Sequence, residues 1–295
     1  MPDTPHRLTG CVTALITPFN ADGSGDETAL RALVDWQIAE GIHFLVPCGS
    51  TGEAATMTLE EHERVVRVTV EQARGRVPVV AGAGGNATTE ALALTKASEQ
   101  AGADALLHVT PYYNRPSQDG LYHHFAAIAK ATKLPIVLYN VPTRTACDML
   151  TDTVARLCAF DNIVAIKDAT GNLVRGAELI AKVGTRLTVL SGDDGTAFPL
   201  YALGSRGVIS VVSNVAPREM ADMWDAVKAN DFVKARALHY KLRALMQMLF
   251  NEPSPAPTKA CLALMNRCTA DVRLPLVGAS TGLTEQLRTE IQGLK

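Results

Sequence analysis

The sequence predicts an α/β protein, a (β/α)8 TIM barrel with a C-terminal three-helix extension, and three observations predict it. Short apolar runs alternate with amphipathic stretches of helical period from Gly10 onward, the pattern of parallel βαβ units. Eight such runs fall within about 220 residues, which suits a closed barrel better than an open sheet. After Ala229 the strand pattern stops and only helical period remains. The expected division is a barrel domain over residues 1–230 and a helical domain over 231–295.

Taken in order, the strand runs are 11–16, 43–47, 77–81, 105–109, 136–139, 163–167, 187–190 and 207–211. Each is followed by a turn rich in Gly, Pro, Thr or Asn, as expected of strands buried on both faces. Helical period covers 27–40, 59–74, 89–101, 118–131, 151–158, 173–183, 195–203 and 217–229. Thr58 before Leu59-Glu60-Glu61 makes a capping-box pattern, and Gly41 and Gly102 follow their helices as C-cap glycines. The tail reads as helices over 231–250, 257–268 and 284–294, with Asn251-Glu252-Pro253-Ser254-Pro255 as a hinge. Its apolar positions Phe232, Leu238, Leu242, Leu245, Met248 and Leu249 must bury a face against the barrel or a partner subunit.

Composition narrows the function. With 295 residues, 47% of them hydrophobic and 20% charged, the chain can bury a large core. A net charge of −2 and the lack of a long Lys/Arg run argue against nucleic acid or an anionic membrane as the main partner. The N-terminus has no apolar h-region and no 18-residue apolar stretch occurs, so a cytoplasmic location is expected. Six dispersed cysteines without a Cys-x-x-Cys pair disfavour structural zinc and redox motifs, and no metal site is expected. Cys48, before a Gly-rich loop, stays open as an alternative nucleophile.

In a barrel, the residues that follow each strand share one rim. Strand two brings Gly49-Ser50-Thr51-Gly52-Glu53 to it, strand four Thr110-Pro111-Tyr112-Tyr113-Asn114-Arg115-Pro116, and strand five Tyr139-Asn140-Val141-Pro142-Thr143-Arg144. Strand six ends in Lys167 and strand seven in Ser191-Gly192-Asp193-Asp194. Lys167 is either a surface charge or an amine nucleophile. To form a Schiff base it must be neutral, so a pKa of ~10.4 has to fall towards ~7, worth roughly 4.6 kcal/mol. That is a large share of the ~5–15 kcal/mol net stability of a domain and implies chemical use.

Arg144 can depress that pKa and hold a substrate carboxylate bidentately, or make a loop salt bridge. Tyr139 can carry protons or simply pack its ring. Ser50 and Thr51 can serve a small carboxylate or cap the next helix. Tyr112 and Tyr113 suit a contact between subunits. The Gly82-Ala83-Gly84-Gly85-Asn86-Ala87 run fits a dinucleotide pattern but lacks the acidic residue after the next strand. Asp193-Asp194 reads as helix capping, and His123-His124 as ordinary helix residues.

Together these motifs resemble the pyruvate-dependent class I aldolase family of dihydrodipicolinate synthase and N-acetylneuraminate lyase, over nearly the whole chain. Ile166-Lys167-Asp168-Ala169-Thr170-Gly171-Asn172, Gly207-Val208-Ile209-Ser210 and residues 251–259 of the tail belong to the match. The resemblance implies that Lys167 forms an imine with pyruvate, that loss of a C3 proton gives an enamine, and that this attacks L-aspartate 4-semialdehyde. Ring closure would then release 4-hydroxy-tetrahydrodipicolinate, the first committed step towards lysine and diaminopimelate. No cofactor is implied.

By the same resemblance, Tyr139 is the main proton carrier, Ser50 links it in a relay, and Tyr113 completes the relay from a neighbouring subunit. Thr51 and the backbone near Ile209 would bind pyruvate beside Gly192, and Arg144 the carboxylate of the aldehyde. Homotetramers built as pairs of dimers are common in the family. The alternative within it is a lyase cleaving another 2-keto acid, such as N-acetylneuraminate or a keto-deoxy sugar acid, and the sialic-acid lyases generally lack the Arg144 equivalent. The chain has Ser50 where the synthases usually have threonine, which keeps the hydroxyl. An allosteric lysine pocket is implied at Ala54, Ala55, Leu59, His62, Asn86, Glu90 and Tyr112. There Leu59 replaces a frequent histidine and Ala54 a serine, so weaker L-lysine binding is expected.

Overall fold

Eight parallel strands build the barrel: β1 (Gly10–Ala14), β2 (Phe44–Val46), β3 (Val80–Gly82), β4 (Ala105–Val109), β5 (Ile136–Asn140), β6 (Ile163–Asp168), β7 (Thr188–Ser191) and β8 (Gly207–Ser210). They hydrogen-bond in the order β2-β1-β8-β7-β6-β5-β4-β3 in a computed structural model that describes residues 8–184 and 186–294. Between β2 and β3 the ring is closed by a parallel Leu45–Val79 bridge, with Leu45 N–H donating to the Pro78 carbonyl at 3.1 Å. The expected TIM barrel is therefore present. Among the described residues, no helix is long and apolar enough to cross a membrane.

Alternation along the strands explains why the runs read as continuously apolar. Val12, Phe44, Val80, Leu107, Val137, Tyr139, Ala165, Leu190 and Ile209 point inward into one cluster that fills the barrel. Their neighbours point outward: Leu138 and Ile166 pack with Leu121, Phe125, Val154 and Leu179 of the surrounding helices. Since side chains two apart share a face, Ala165 facing inward places Lys167 on the inner side as well.

The strands are followed by α1 (Glu27–Ala39), α2 (Leu59–Ala73), α3 (Thr88–Gln100), α4 (Gln118–Ala131), α5 (Pro142–Thr145), α6 (Thr151–Leu157), α7 (Leu173–Val183), α8 (Asp194–Ala202) and α9 (Pro217–Lys228). The capping box forms as expected: Thr58 Oγ1 accepts from Glu61 N–H at 3.2 Å, and Glu61 Oε2 accepts from Thr58 N–H at 3.0 Å. Gly41 and Gly102 both take φ +88°, the left-handed geometry that ends a helix.

The tail forms α10 (Phe232–Met248), α11 (Ala256–Leu264) and α12 (Thr281–Leu294). Leu242, Leu245, Cys261, Leu262 and Leu287 of these helices share one apolar cluster with Leu33, Val34, Met220 and Trp224 of the barrel's helices. Each fully buried leucine there contributes about 1.5–3 kcal/mol relative to an exposed one, so the tail is docked by the hydrophobic effect.

Candidate active site

The carboxyl ends of β5 and β6 carry the site. Tyr139 and Lys167 are register partners on these strands, 6% and 5% exposed, and the Lys167 Nζ stands 4.2 Å above the centroid of the Tyr139 ring. Lysine is rarely buried, and this one lies against a phenol with its stem walled in. A Cβ added to Gly192 would come within 3.0 Å of Lys167 Cε and 2.6 Å of Ala169 Cβ, so only glycine lets the loop after β7 lie there.

Buried polar groups hold the rim in place. Ala169 N–H donates to the Asn140 carbonyl at 2.9 Å and Gly192 N–H to the Asp168 carbonyl at 2.7 Å, which ties the loops after β5, β6 and β7 together. Arg175 on α7 donates through Nε to Asp168 Oδ2 at 3.0 Å, while Asn140 Nδ2 donates to Asp148 Oδ1 at 2.8 Å. Asn140 and Asp168 were not singled out from the sequence. Their signal was position, each being the residue directly after a candidate catalytic side chain.

Arg144 lies on the short helix α5, which begins at Pro142 and whose turn positions the guanidinium over the rim. It is exposed and has no salt bridge among the described residues, so the loop ion pair open from sequence is not formed. A cavity of about 520 Å³ joins Arg144, Tyr139 and Ser50 with Ala54, Ala55, Leu59, His62, Glu90 and Tyr112. One cleft thus brings together the substrate side and all of the expected lysine pocket except Asn86. Lys167, Thr51, Gly192 and Ile209 lie outside its lining, Lys167 meeting it through the Tyr139 ring.

Ser50 is exposed and Thr51 is buried, and neither caps α2, because Thr58 does. Ile209 is buried on β8 inside the barrel, in the same cluster as Tyr139 and Leu190. Tyr113 is different: 89% exposed and at φ +73°, it stands out from the rim with its N–H on the Thr145 carbonyl at 3.3 Å. Next to it, Tyr112 is half-buried, and burial followed by the Glu90 charge pushes its phenol up.

His62 Nε2 lies 2.6 Å from the Gly82 carbonyl, an acceptor only, so that nitrogen carries the proton. Burial lowers the pKa of the ring. The Cys48 thiol is buried at 3% exposure and burial pushes its pKa well up, the reverse of what a nucleophile needs. Cys48 is therefore withdrawn as an alternative. Asp193 caps α8 by accepting from Thr196 N–H at 2.9 Å, as expected, whereas Asp194 is the first residue of that helix and instead accepts from the N–H groups of Val211 and Val212 after β8. Gly82 answers a packing need as well, since a Cβ there would come 2.0 Å from the Cys48 carbonyl oxygen.

A barrel that buries an amine at its catalytic rim, against a phenol and below an open cleft with a free guanidinium, has the arrangement of a class I, Schiff-base aldolase. The chain belongs to the Dihydrodipicolinate synthetase family, whose model matches residues 7–294. A 4-hydroxy-tetrahydrodipicolinate synthase of Syntrophobacter fumaroxidans is 50% identical over 284 residues, 96% of this chain and 97% of the relative. Among solved structures, the chloride-inhibited dihydrodipicolinate synthase of Acinetobacter baumannii with pyruvate superposes with a TM-score of 0.95 at 44% identity, over 97% of this chain and 99% of that one. The lysine-bound enzyme of Cyanidioschyzon merolae gives 0.94 at 36% identity, over 98% and 99%. A monomeric dihydrodipicolinate synthase variant gives 0.95 at 40% identity, over 97% and 96%.

Proposed function

We propose that this protein is a lyase-type synthase that condenses pyruvate with L-aspartate 4-semialdehyde to give 4-hydroxy-tetrahydrodipicolinate. The observation that carries the chemistry is the buried Lys167 amine 4.2 Å from the Tyr139 ring at the carboxyl end of the barrel. The substrates follow from relatives of that name at about half identity over nearly the full chain.

In this reading the Lys167 amine adds to C2 of pyruvate, water leaves, and an imine forms. Tyr139, with Ser50 behind it, removes a C3 proton to give the enamine and returns a proton to the aldehyde oxygen as the new carbon–carbon bond forms. Thr51, Gly192 and the backbone near Ile209 receive the pyruvate carboxylate. Arg144, free of ion pairs among the described residues, receives that of the semialdehyde, where a planar two-pronged donor binds best. The amino group of the second substrate then attacks C2, closes the ring and frees Lys167.

Borohydride reduction in the presence of pyruvate tests this. A single reduced pyruvyl group on Lys167, together with turnover of aspartate semialdehyde but not of sugar-acid substrates, is the expected result. An unmodified protein would leave only a ligand-binding role.

Residues 1–230 are assigned as the catalytic unit and 231–295 as a helical unit docked on it, which the shared apolar cluster supports. A homotetramer is the proposed assembly, supported by the outward Tyr113 and by exposed Leu274 and Val277, which are 80% and 70% exposed. One similar structure is a monomeric variant, so the fold alone does not dictate assembly. L-Lysine is the proposed effector of the pocket around His62, Glu90 and Tyr112, bound weakly because Leu59 and Ala54 offer it no hydrogen bonds. Calorimetry should show saturable heat at millimolar L-lysine, and a flat titration would remove the effector.

A further inference from the structure

Two buried charges that this chemistry leaves unused meet behind the loop of Ser50 and Thr51. Glu53 ends that loop at φ +57° and is 3% exposed, an uncommon backbone region for a non-glycine residue. Its Oε1 lies 2.5 Å from Nζ of Lys259 on α11, and both side chains are wholly out of solvent. Its Oε2 accepts from Arg273 N–H at 2.9 Å. Lys259 also donates to the Asp271 carbonyl at 2.7 Å and stands 4.2 Å from the centroid of the Phe19 ring. Burying two charges costs free energy that an apolar pair of the same volume does not, so stability alone is a poor reason for the pair.

The loop in front of it is held at successive residues. Glu53 N–H donates to the Ser50 carbonyl at 3.1 Å, so the position of the carboxylate passes directly to Ser50. The Gly52 carbonyl accepts from Thr17 Oγ1 at 2.7 Å, and a Cβ on Gly52 would come 3.0 Å from the Leu15 carbonyl oxygen. The strand side thus holds Gly52 and the tail holds Glu53.

We propose that Glu53, held by Lys259 and Arg273 of the tail, is a positioning residue that fixes the Ser50 hydroxyl for catalysis, so that the helical tail is part of the active-site frame. The inference rests on the relay reading of Ser50 given above.

A double-mutant cycle between Glu53→Gln and Ser50→Ala tests it, with kcat, pyruvate KM and borohydride trapping read for each protein. Glutamine keeps the size of the side chain but removes the charge that holds Lys259. Glu53→Gln should lower kcat by about 10- to 100-fold while saturating pyruvate still labels Lys167. In the Ser50→Ala background the same change should cost less than about twofold, because both act through one hydroxyl. An additive loss overturns the positioning role. An unchanged kcat for Ser50→Ala alone instead removes the relay reading, and the proposal with it. Glu53→Gln/Lys259→Met, with no buried charge, is the second variant and should keep the wild-type melting temperature with a low kcat. Wild-type kcat in that folded variant, or failure of both variants to fold, assigns the pair to stability and overturns the proposal.

Discussion

Replacing Lys167 by methionine is expected to lower turnover by at least about 10⁴-fold, a rise of ~5.5 kcal/mol in the barrier, while the protein stays folded. The stem of Lys167 is enclosed by Gly192, Ala169 and the Tyr139 ring, a space that an unbranched apolar side chain fills equally well. Removing a buried amine in this way relieves a desolvation cost, so the melting temperature should be unchanged or higher. Lys167→Arg should be as inactive for a different reason, since a guanidinium stays protonated and cannot add to a carbonyl. Neither variant should retain pyruvate after borohydride. More than about one tenth of wild-type turnover in the methionine variant would exclude an imine at this position.

Much of this arrangement was legible because burial on both faces leaves a strong trace. The runs at 105–109 and 163–167 match β4 (Ala105–Val109) and β6 (Ile163–Asp168) to within a residue. The apolar run at 77–81 begins ahead of its strand: β3 is Val80–Gly82, because Pro78 has no N–H for the ladder and Gly82 lets the Cys48 carbonyl approach. Helix α5 is too short, at four residues, to leave a helical period in the sequence, although Pro142 after Val141 is a helix-start signal. The last tail helix starts at Thr281 rather than 284, because the Ser280 hydroxyl accepts from Leu283 N–H at 3.2 Å.

The site divides in the same way. Lys167, Tyr139 and Arg144 could be placed on one rim because strand ends are local features and the barrel brings them together. The Glu53–Lys259 pair could not, since nothing local in either segment announces a partner more than 200 residues away. Long-range pairing of buried charge is a property of the packed tail and not of any sequence window. The outward Tyr113 is legible only as an aromatic. Its left-handed backbone, which turns the ring away from the rim of its own barrel, is set by the fold of the loop.

Acid should destabilise the protein through a pair of histidines, His108 on β4 and His124 on α4. His108 is wholly buried, its pKa pushed down to about 3 by burial and by its neighbour His124. His124 on α4 is also buried and is pushed down to about 4, with Nδ1 3.0 Å from Thr88 Oγ1. Among the described residues His108 Nδ1 and His124 Nε2 make no hydrogen bond, and the Ala83 backbone, which favours the charged His108 ring, is outweighed by burial. Unfolded, each ring would titrate near 6.5, so as pH falls below that value the unfolded chain binds protons that the folded chain refuses. Stability is therefore complete above about pH 6.5 and is lost as pH drops towards the folded values.

At about pH 5 the loss is roughly 2 kcal/mol per histidine, ~4 kcal/mol together, against a net stability of ~5–15 kcal/mol. His62, lowered by burial, acts in the same direction. Urea unfolding at fixed protein concentration should show this fall between about pH 7.5 and pH 5 in the wild type, and a fall smaller by about 2 kcal/mol in His108→Leu. Val109, next to His108, pairs with Tyr139 across β4 and β5, so the strand that charging would displace is the one beside the proposed proton carrier. The same loss of stability in the leucine variant as in the wild type would mean that His108 is not the group that titrates.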